Sequence, residues 1–218
     1  MLAKIMPEEP IQELAHPSEV VLDIIRKRRT IRHFTDEDVS PEQVKTLLEM
    51  AMCAPNRLDR RPWHFVVIRD KALQKQLADL LRIHPYLETA PVVIVVCGLP
   101  TVSRTWLMDV SAAIENMVLA ATAMGLGATW VGNPGDALWD RCEKTLVNAL
   151  AIPHDHVGAF QKLVRTLQRL FSGKRTEVSL NKPIRIPALV AVGHPAQELP
   201  PHGKHDRFDE AKVHHGRW

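Results

Sequence analysis

Arg28-Arg29-Thr30-Ile31-Arg32-His33-Phe34 concentrates more potential chemistry than any other short stretch of this chain. Its three arginines and one hydroxyl follow directly on the apolar run Val20, Val21, Ile24 and Ile25. On a helix those apolar positions share one face. The arginines therefore arrive where a helix ends and an extended segment begins. Guanidinium groups are planar, permanently charged and suited to bidentate contact with phosphate oxygens, and Thr30 adds a hydroxyl donor. Two readings stay open at this point: a site for the phosphate of a mononucleotide, or a solvated basic turn.

Further blocks lie downstream. Ala54-Pro55-Asn56-Arg57-Leu58-Asp59-Arg60-Arg61-Pro62 is a polar, proline-bracketed loop that leads into the apolar run Trp63–Ile68. Asp109 to Gly132 contains an alanine-rich helical stretch, Gly125-Leu126-Gly127, and then Thr129-Trp130-Val131. Ala191-Val192-Gly193-His194-Pro195 and the run Arg207 to His215 close the chain, with Trp218 last. In this order and at these spacings the blocks resemble the FMN-dependent nitroreductase family, over residues 20–153 and 186–218.

The resemblance implies an α+β fold with three α/β/α layers around a central, mostly antiparallel sheet, assembled as an intertwined homodimer. It implies an FMN-dependent oxidoreductase working by ping-pong. NAD(P)H reduces the flavin and leaves, and a nitroaromatic, quinone or similar conjugated acceptor then takes the electrons. The flavin carries that chemistry, so no catalytic side chain is singled out. Cofactor-binding positions transfer residue by residue. Arg28, Arg29, Thr30 and Arg32 match the block that grips the phosphate and the pyrimidine edge of the ring. His205 and Arg207 match the basic pair near the C-terminus, with Lys204 adjacent; the family commonly has lysine where His205 stands.

Loop 55–61 departs from the family pattern. Pro55 is present, but Asn56, Asp59 and Arg61 stand where a hydroxyl residue, an asparagine and a glutamine are common, and Arg57 and Arg60 add charge. A carboxylate near the flavin would oppose the negative charge that builds on reduction. We therefore expect Asp59 to pair with Arg57, Arg60 or Arg61, or the flavin potential to be lowered. Trp130, Val131, Gly132 and Asn133 match the loop passing along the ring, with a backbone N–H from Gly132 or Asn133 expected to serve it. Trp130 reads equally well as a core aromatic. Tyr86, the only tyrosine, follows His84-Pro85 where some members touch the ring edge.

Other classes are weaker. The net charge of +3 is too mild to argue for nucleic acid, and no basic block is interleaved with aromatics. No apolar stretch is long enough to span a bilayer, no signal peptide is recognisable, and a cytoplasmic protein is expected. Cys53, Cys97 and Cys142 are odd in number and dispersed, which suits a reducing compartment; Cys53 and Cys97 read as buried. His154 with His156, His202 with His205, and His214 with His215 lack zinc-site spacing, so no metal is expected. A flavin- or nucleotide-binding regulatory module without turnover is the alternative from another class. A flavin-fragmenting or dehalogenating branch of the same superfamily is the alternative within it.

Elements to position these groups follow from pattern. Residues 1–17 read as an N-terminal arm, and Ser18 as the cap of a helix over 19–28. Ser40-Pro41-Glu42-Gln43 is a capping-box start for a helix turning Val44, Leu47, Leu48 and Ala51 inward. Strands are expected at 63–69, 91–97, 129–131 and 187–192. Asp70 should cap a helix over 72–81, and further helices should cover 105–124, ended by Gly125 and Gly127, and 136–150. Residues 157–185 are an insertion of about thirty residues relative to the family. Phe160, Leu163, Val164, Leu167, Leu170 and Phe171 fall there at helical spacing. This reads as an added helix on the domain or across a dimer interface, as a lid, or as a helix on a membrane surface. The whole chain reads as one domain whose tail, 200–218, crosses to the partner subunit.

Overall fold

The computed structural model describes residues 17–81, 86–132, 137–152, 184–203 and 207–218. The N-terminal arm and nearly all of the insertion fall outside these residues, as do Asn133 and His205. Helix α1 (Pro17–Lys27) leads to α2 (Pro41–Met52), β1 (Trp63–Ile68), α3 (Lys71–Leu81) and the short α4 (Tyr86–Thr89). Then come β2 (Val92–Gly98), α5 (Trp106–Ala123), β3 (Gly127–Val131), α6 (Ala137–Ala149) and β4 (Arg185–Gly193). The four strands form one antiparallel sheet in the order β1-β2-β4-β3. No helix among the described residues is long and apolar enough to cross a membrane.

Two of the starts expected from sequence form as local chemistry dictates, whereas α1 begins at Pro17, so Ser18 lies inside the helix and does not cap it. Ser40 Oγ accepts from the Gln43 amide at 3.1 Å while Gln43 Oε1 accepts from the Ser40 amide at 2.8 Å, completing the capping box. Asp70 Oδ1 accepts from the Leu73 amide at 2.7 Å at the head of α3. β2 is buried at every position, because helices cover both faces of the sheet. Val92, Ile94 and Val96 face the core built with α2 and α5. Val93, Val95 and Cys97 face the core built with α3, α4 and α6.

The expectations for Cys53 and Gly127 need correction. Cys53 is exposed, because it caps the C-terminus of α2 instead of continuing its buried stripe. Cys97 is buried as expected, and burial pushes its thiol up to about 12, with Glu143 adding to the shift. Gly127 does not end α5: Gly125, at φ +72°, makes that turn, and Gly127 opens β3.

The role of Gly127 lies in packing. It pairs in register with Gly193 at one end of the sheet, and the two glycines leave a shelf. Ile31 fills one side, 2.7 Å from where a Cβ on Gly127 would stand, and Phe34 fills the other, 2.9 Å from a Cβ on Gly193. Residues 30–35 are thereby strapped along the sheet end. The Ile31 amide donates to the Ala128 carbonyl at 3.0 Å, and the Thr35 amide to His194 O at 2.9 Å. Thr30 bridges Ala128 and Phe34 bridges Pro195.

Beyond β3, α6 clamps the start of β4. Glu143, almost fully buried, accepts from Arg185 Nε at 2.7 and 2.8 Å and from the Ile186 amide at 2.6 Å. Asp140 takes Arg185 Nη2 at 2.9 Å. The carboxylate is satisfied by charge and by backbone together, as a buried ion must be.

The shelf is open to measurement. Gly127→Ala should lower stability by about 1–3 kcal/mol through overpacking against Ile31, read as a fall in Tm. Combining it with Ile31→Ala should cost less than the sum of the two single changes, since residues in contact couple by about 0.5–3 kcal/mol. Strict additivity would show that the strap does not rest on this glycine.

Candidate functional site

The arginine segment begins where α1 stops. The Arg28 amide closes the last helical turn on Ile24 O at 2.9 Å, and from there the chain extends along the edge strand β3. Its three guanidinium groups take different neighbours. Arg28 Nε lies 3.8 Å from Glu115 Oε1 on α5, an ion pair longer than a hydrogen bond. Arg29 Nη1 donates to the Pro200 carbonyl at 2.9 Å and contacts His202 Nδ1 at 3.1 Å. Arginine has no acceptor, so His202 meets it through the Nδ1 lone pair. The Arg32 guanidinium stands over the Tyr86 ring, 6.0 Å from its centroid, within cation–π range. Burial pushes the Tyr86 hydroxyl up, with Arg32 opposing the shift. Thr30 is exposed between them.

The C-terminal segment therefore returns to the arginines. The His202 amide donates to Arg26 O at 3.0 Å, so residues 200–202 are tied to the end of α1 by backbone and by Arg29 together. Arg207 is exposed. His205 lies outside the described residues.

Loop 55–61 is held by its own side chains. Asn56 Oδ1 accepts from the Arg61 amide at 2.9 Å. Asp59 pairs bidentately with Arg61 at 2.8 and 2.9 Å, which meets the expectation of an arginine partner. The Arg61 hydrogen bond holds the Asp59 carboxyl below the usual carboxylate range, and the same bond raises the Arg61 guanidinium. Both groups are solvent-exposed, so the pair shapes the loop more than it stabilises the fold. Leu58, Asp59 and Arg61 have φ of 54°, 50° and 47°. For residues with a Cβ that left-handed backbone costs roughly 1–2 kcal/mol each, and it persists only where the surroundings over-determine it. Arg60 Nη1 reaches the Val102 carbonyl at 2.9 Å, and the Arg57 amide reaches Asp109 Oδ1 at 3.3 Å. Pro55 is exposed at the loop's start.

On β3, Trp130 is 42% exposed, so it is a surface aromatic and not part of the core. Val131 is buried against the α6 side of the sheet. Gly132 is exposed, yet a Cβ there would fall 2.2 Å from Pro187 O, which fixes glycine at that position. Asn133 lies outside the described residues.

The structure thus joins Arg29 to the C-terminal segment, and Asn56, Asp59 and Arg61 to one another. It gives Arg28 and Arg32 separate partners. Sequence reasoning missed Asp109, Glu115 and the glycine shelf, whose partners lie far away along the chain. No group of three or more His, Cys, Asp or Glu among the described residues could hold a metal ion.

The Nitroreductase family model matches residues 25–85 and 81–161. A provisionally named NADH dehydrogenase/NAD(P)H nitroreductase of Archaeoglobus fulgidus is 31% identical over 206 residues, spanning 92% of this chain and 99% of that protein. An FMN reductase (NAD(P)H) of Bacillus subtilis is 26% identical over 200 residues, spanning 80% of this chain and 72% of that protein. Among solved structures, an FMN-dependent nitroreductase from Clostridium difficile R20291 shares the fold with a TM-score of 0.73 at 22% identity, over 90% of this chain and 99% of that one.

Carbon-detected NMR titration of the side-chain carboxyls tests the loop. Asp59 should titrate below the usual aspartate range, and Arg61→Ala should return it there. With a lowered pKa, the pairing is fully present above the usual range and is lost as pH falls through the lowered value. An unmoved Asp59 titration in Arg61→Ala would remove the pair from the account.

Proposed function

The chain belongs to the nitroreductase family, and we propose that it is an FMN-dependent oxidoreductase that uses NAD(P)H to reduce a nitroaromatic, quinone or similar conjugated acceptor. The observation that carries this reading is the junction at the end of α1. There the arginine segment and the returning C-terminal segment meet through Arg29, Pro200 and His202, beside the edge strand that bears Trp130.

The donor set fits a phosphorylated flavin. Both bonds from Arg29 leave from Nη1, and a guanidinium has five N–H donors, so Arg29 can tie down the C-terminal segment and still serve a phosphate. Among the described residues Arg28 is held by a long contact to Glu115, Thr30 is exposed, and so is Arg207. We assign Arg28, Arg29, Thr30 and Arg207 to the phosphate, with His205 as their companion, and Arg32 to the polar edge of the ring. Trp130, Val131, Gly132 and Asn133 would line the far side of that ring, while Pro55, Asn56, Arg57, Asp59 and Arg61 would form the loop that serves the flavin of the partner subunit. When bound, the flavin supplies hydride and electron transfer, and no protein acid or base is obligatory. The chain's own work is to bind, orient and exclude water. The Asp59–Arg61 pair serves that end by removing a bare carboxylate from the loop.

A single domain acting as a homodimer completes the proposal. Val21, Ile24, Ile25, Met50, Leu119 and Ala123 line an open apolar groove between α1, α2 and α5. Phe208, Val213 and Trp218 are exposed on the C-terminal tail. Apolar surface gathered in this way marks an interaction site, and a second copy of the chain with its tail crossing over would cover it. All three cysteines are free, consistent with a cytoplasmic setting.

Purified protein should be yellow and should bleach anaerobically with NADH or NADPH; colour without bleaching would favour a binding module. Arg28→Ala and Arg207→Ala should each raise the Kd for FMN by about tenfold to a hundredfold, the weight of a charged hydrogen bond, and leave the Kd for riboflavin unchanged. Equal losses for both ligands would remove these residues from the phosphate. Deleting 200–218 should give a colourless monomer by sedimentation. A stable yellow dimer would rule out the proposed role of the tail.

A further inference from the structure

Asp109 sits in the first turn of α5 and is 6% exposed. Its Oδ2 accepts the Ser103 hydroxyl at 2.6 Å. The Thr105 hydroxyl shares its proton between the two carboxylate oxygens, at 3.1 and 3.2 Å. Both of those donors belong to the turn that opens α5. The remaining donor is the Arg57 amide at 3.3 Å, from the middle of loop 55–61 and 52 positions away in sequence. A buried carboxylate with three donors is a fixed point, and one of the three is the loop itself.

The loop needs such a point. Leu58, Asp59 and Arg61 occupy left-handed backbone without being glycine, and the residues between Pro55 and Pro62 are otherwise exposed or half-buried. The Asp59–Arg61 pair closes the loop on itself but does not attach it to the domain. Among the described residues, the bonds that tie positions 57–61 to the domain are Arg60 to the Val102 carbonyl, through an exposed side chain, and Arg57 to buried Asp109. Of these two bonds the first is exposed and the second part-buried.

We infer that Asp109 is the positioning residue that holds loop 55–61 in its strained shape, and so governs flavin binding without touching the flavin. The part concerning flavin rests on the function proposed above; the part concerning the loop does not.

The test uses full-length protein and two ways of breaking one bond. Asp109→Asn keeps the shape and removes the charge. Arg57→Pro removes the donor and leaves Asp109 intact. Asn56, at φ −150° and ψ 157°, already has the extended backbone that a following proline requires. Arg57→Ala, which keeps the amide, is the control for the side chain. Trypsin cleavage after Arg60 in the apoprotein should accelerate about tenfold in Asp109→Asn and in Arg57→Pro, as expected for one charge-assisted bond. Cleavage after Lys45 on α2 and Lys75 on α3 should not change. The Kd for FMN should rise by a similar factor in both variants and by less in Arg57→Ala, with a shifted visible spectrum of the bound flavin. Unchanged cleavage after Arg60, or acceleration at all three sites alike, would overturn the inference. Wild-type protein that fails to take up FMN would defeat the proposed function, while the cleavage ratios would still decide the role of Asp109.

Discussion

The strap of residues 30–35 across the end of the sheet is the constraint on which the rest of this molecule depends. It exists because Gly127 and Gly193 are register partners and together leave room for Ile31 and Phe34. Two apolar side chains and a few backbone hydrogen bonds fix a short extended segment that would otherwise be free to move. Everything charged in the segment inherits its position from them. Arg28, Arg29 and Arg32 flank the anchored Ile31, and each is held where the backbone leaves it. Overpacking at either glycine is therefore felt at the arginines and not only in the core.

From that strap the site grows outward by opposites. Arginines are gathered at the edge strand, with Glu115 3.8 Å from Arg28, and in loop 55–61 Asp59 is paired with Arg61. The chain's two ends meet through Arg29, a residue whose fork can hold a carbonyl and a histidine from one nitrogen. The same economy appears on the opposite side of the sheet. There Glu143 holds Arg185 and the Ile186 amide together where β4 begins. The division of labour suits a cofactor enzyme, in which the protein binds and orients and the bound group supplies the redox chemistry.

Local chemistry was readable from the sequence, and long-range pairing was not. The capping box at Ser40, the Asp70 cap, the buried run of β2 and the α5 helix all arise from patterns within a few residues. The arginine segment was recognised, but not the divergence of its side chains, because Glu115, His202 and Tyr86 come from three distant parts of the chain. Gly127 looked like a helix terminator because a glycine two residues after another suggests a turn, whereas its role is to admit Ile31. Cys53 looked buried because it follows an apolar helix stripe, yet one further residue put it at the exposed cap. Loop 55–61 holds three left-handed residues with no glycine among them, so nothing in its composition announced the strain. Asp109 stands in the sequence only as the start of the alanine-rich block, and its partner, the Arg57 amide, lies 52 positions away.

We propose that guanidinium groups placed by the strap and by the C-terminal segment hold one dianionic phosphate. Phosphorus-31 NMR of the FMN-loaded protein tests it directly, because a free phosphate monoester changes its charge with a pKa of about 6. The account requires a bound resonance that stays constant as the pH is taken from above to below that value. A bound resonance that titrates like free FMN would mean that the phosphate faces solvent and that these arginines serve some other end.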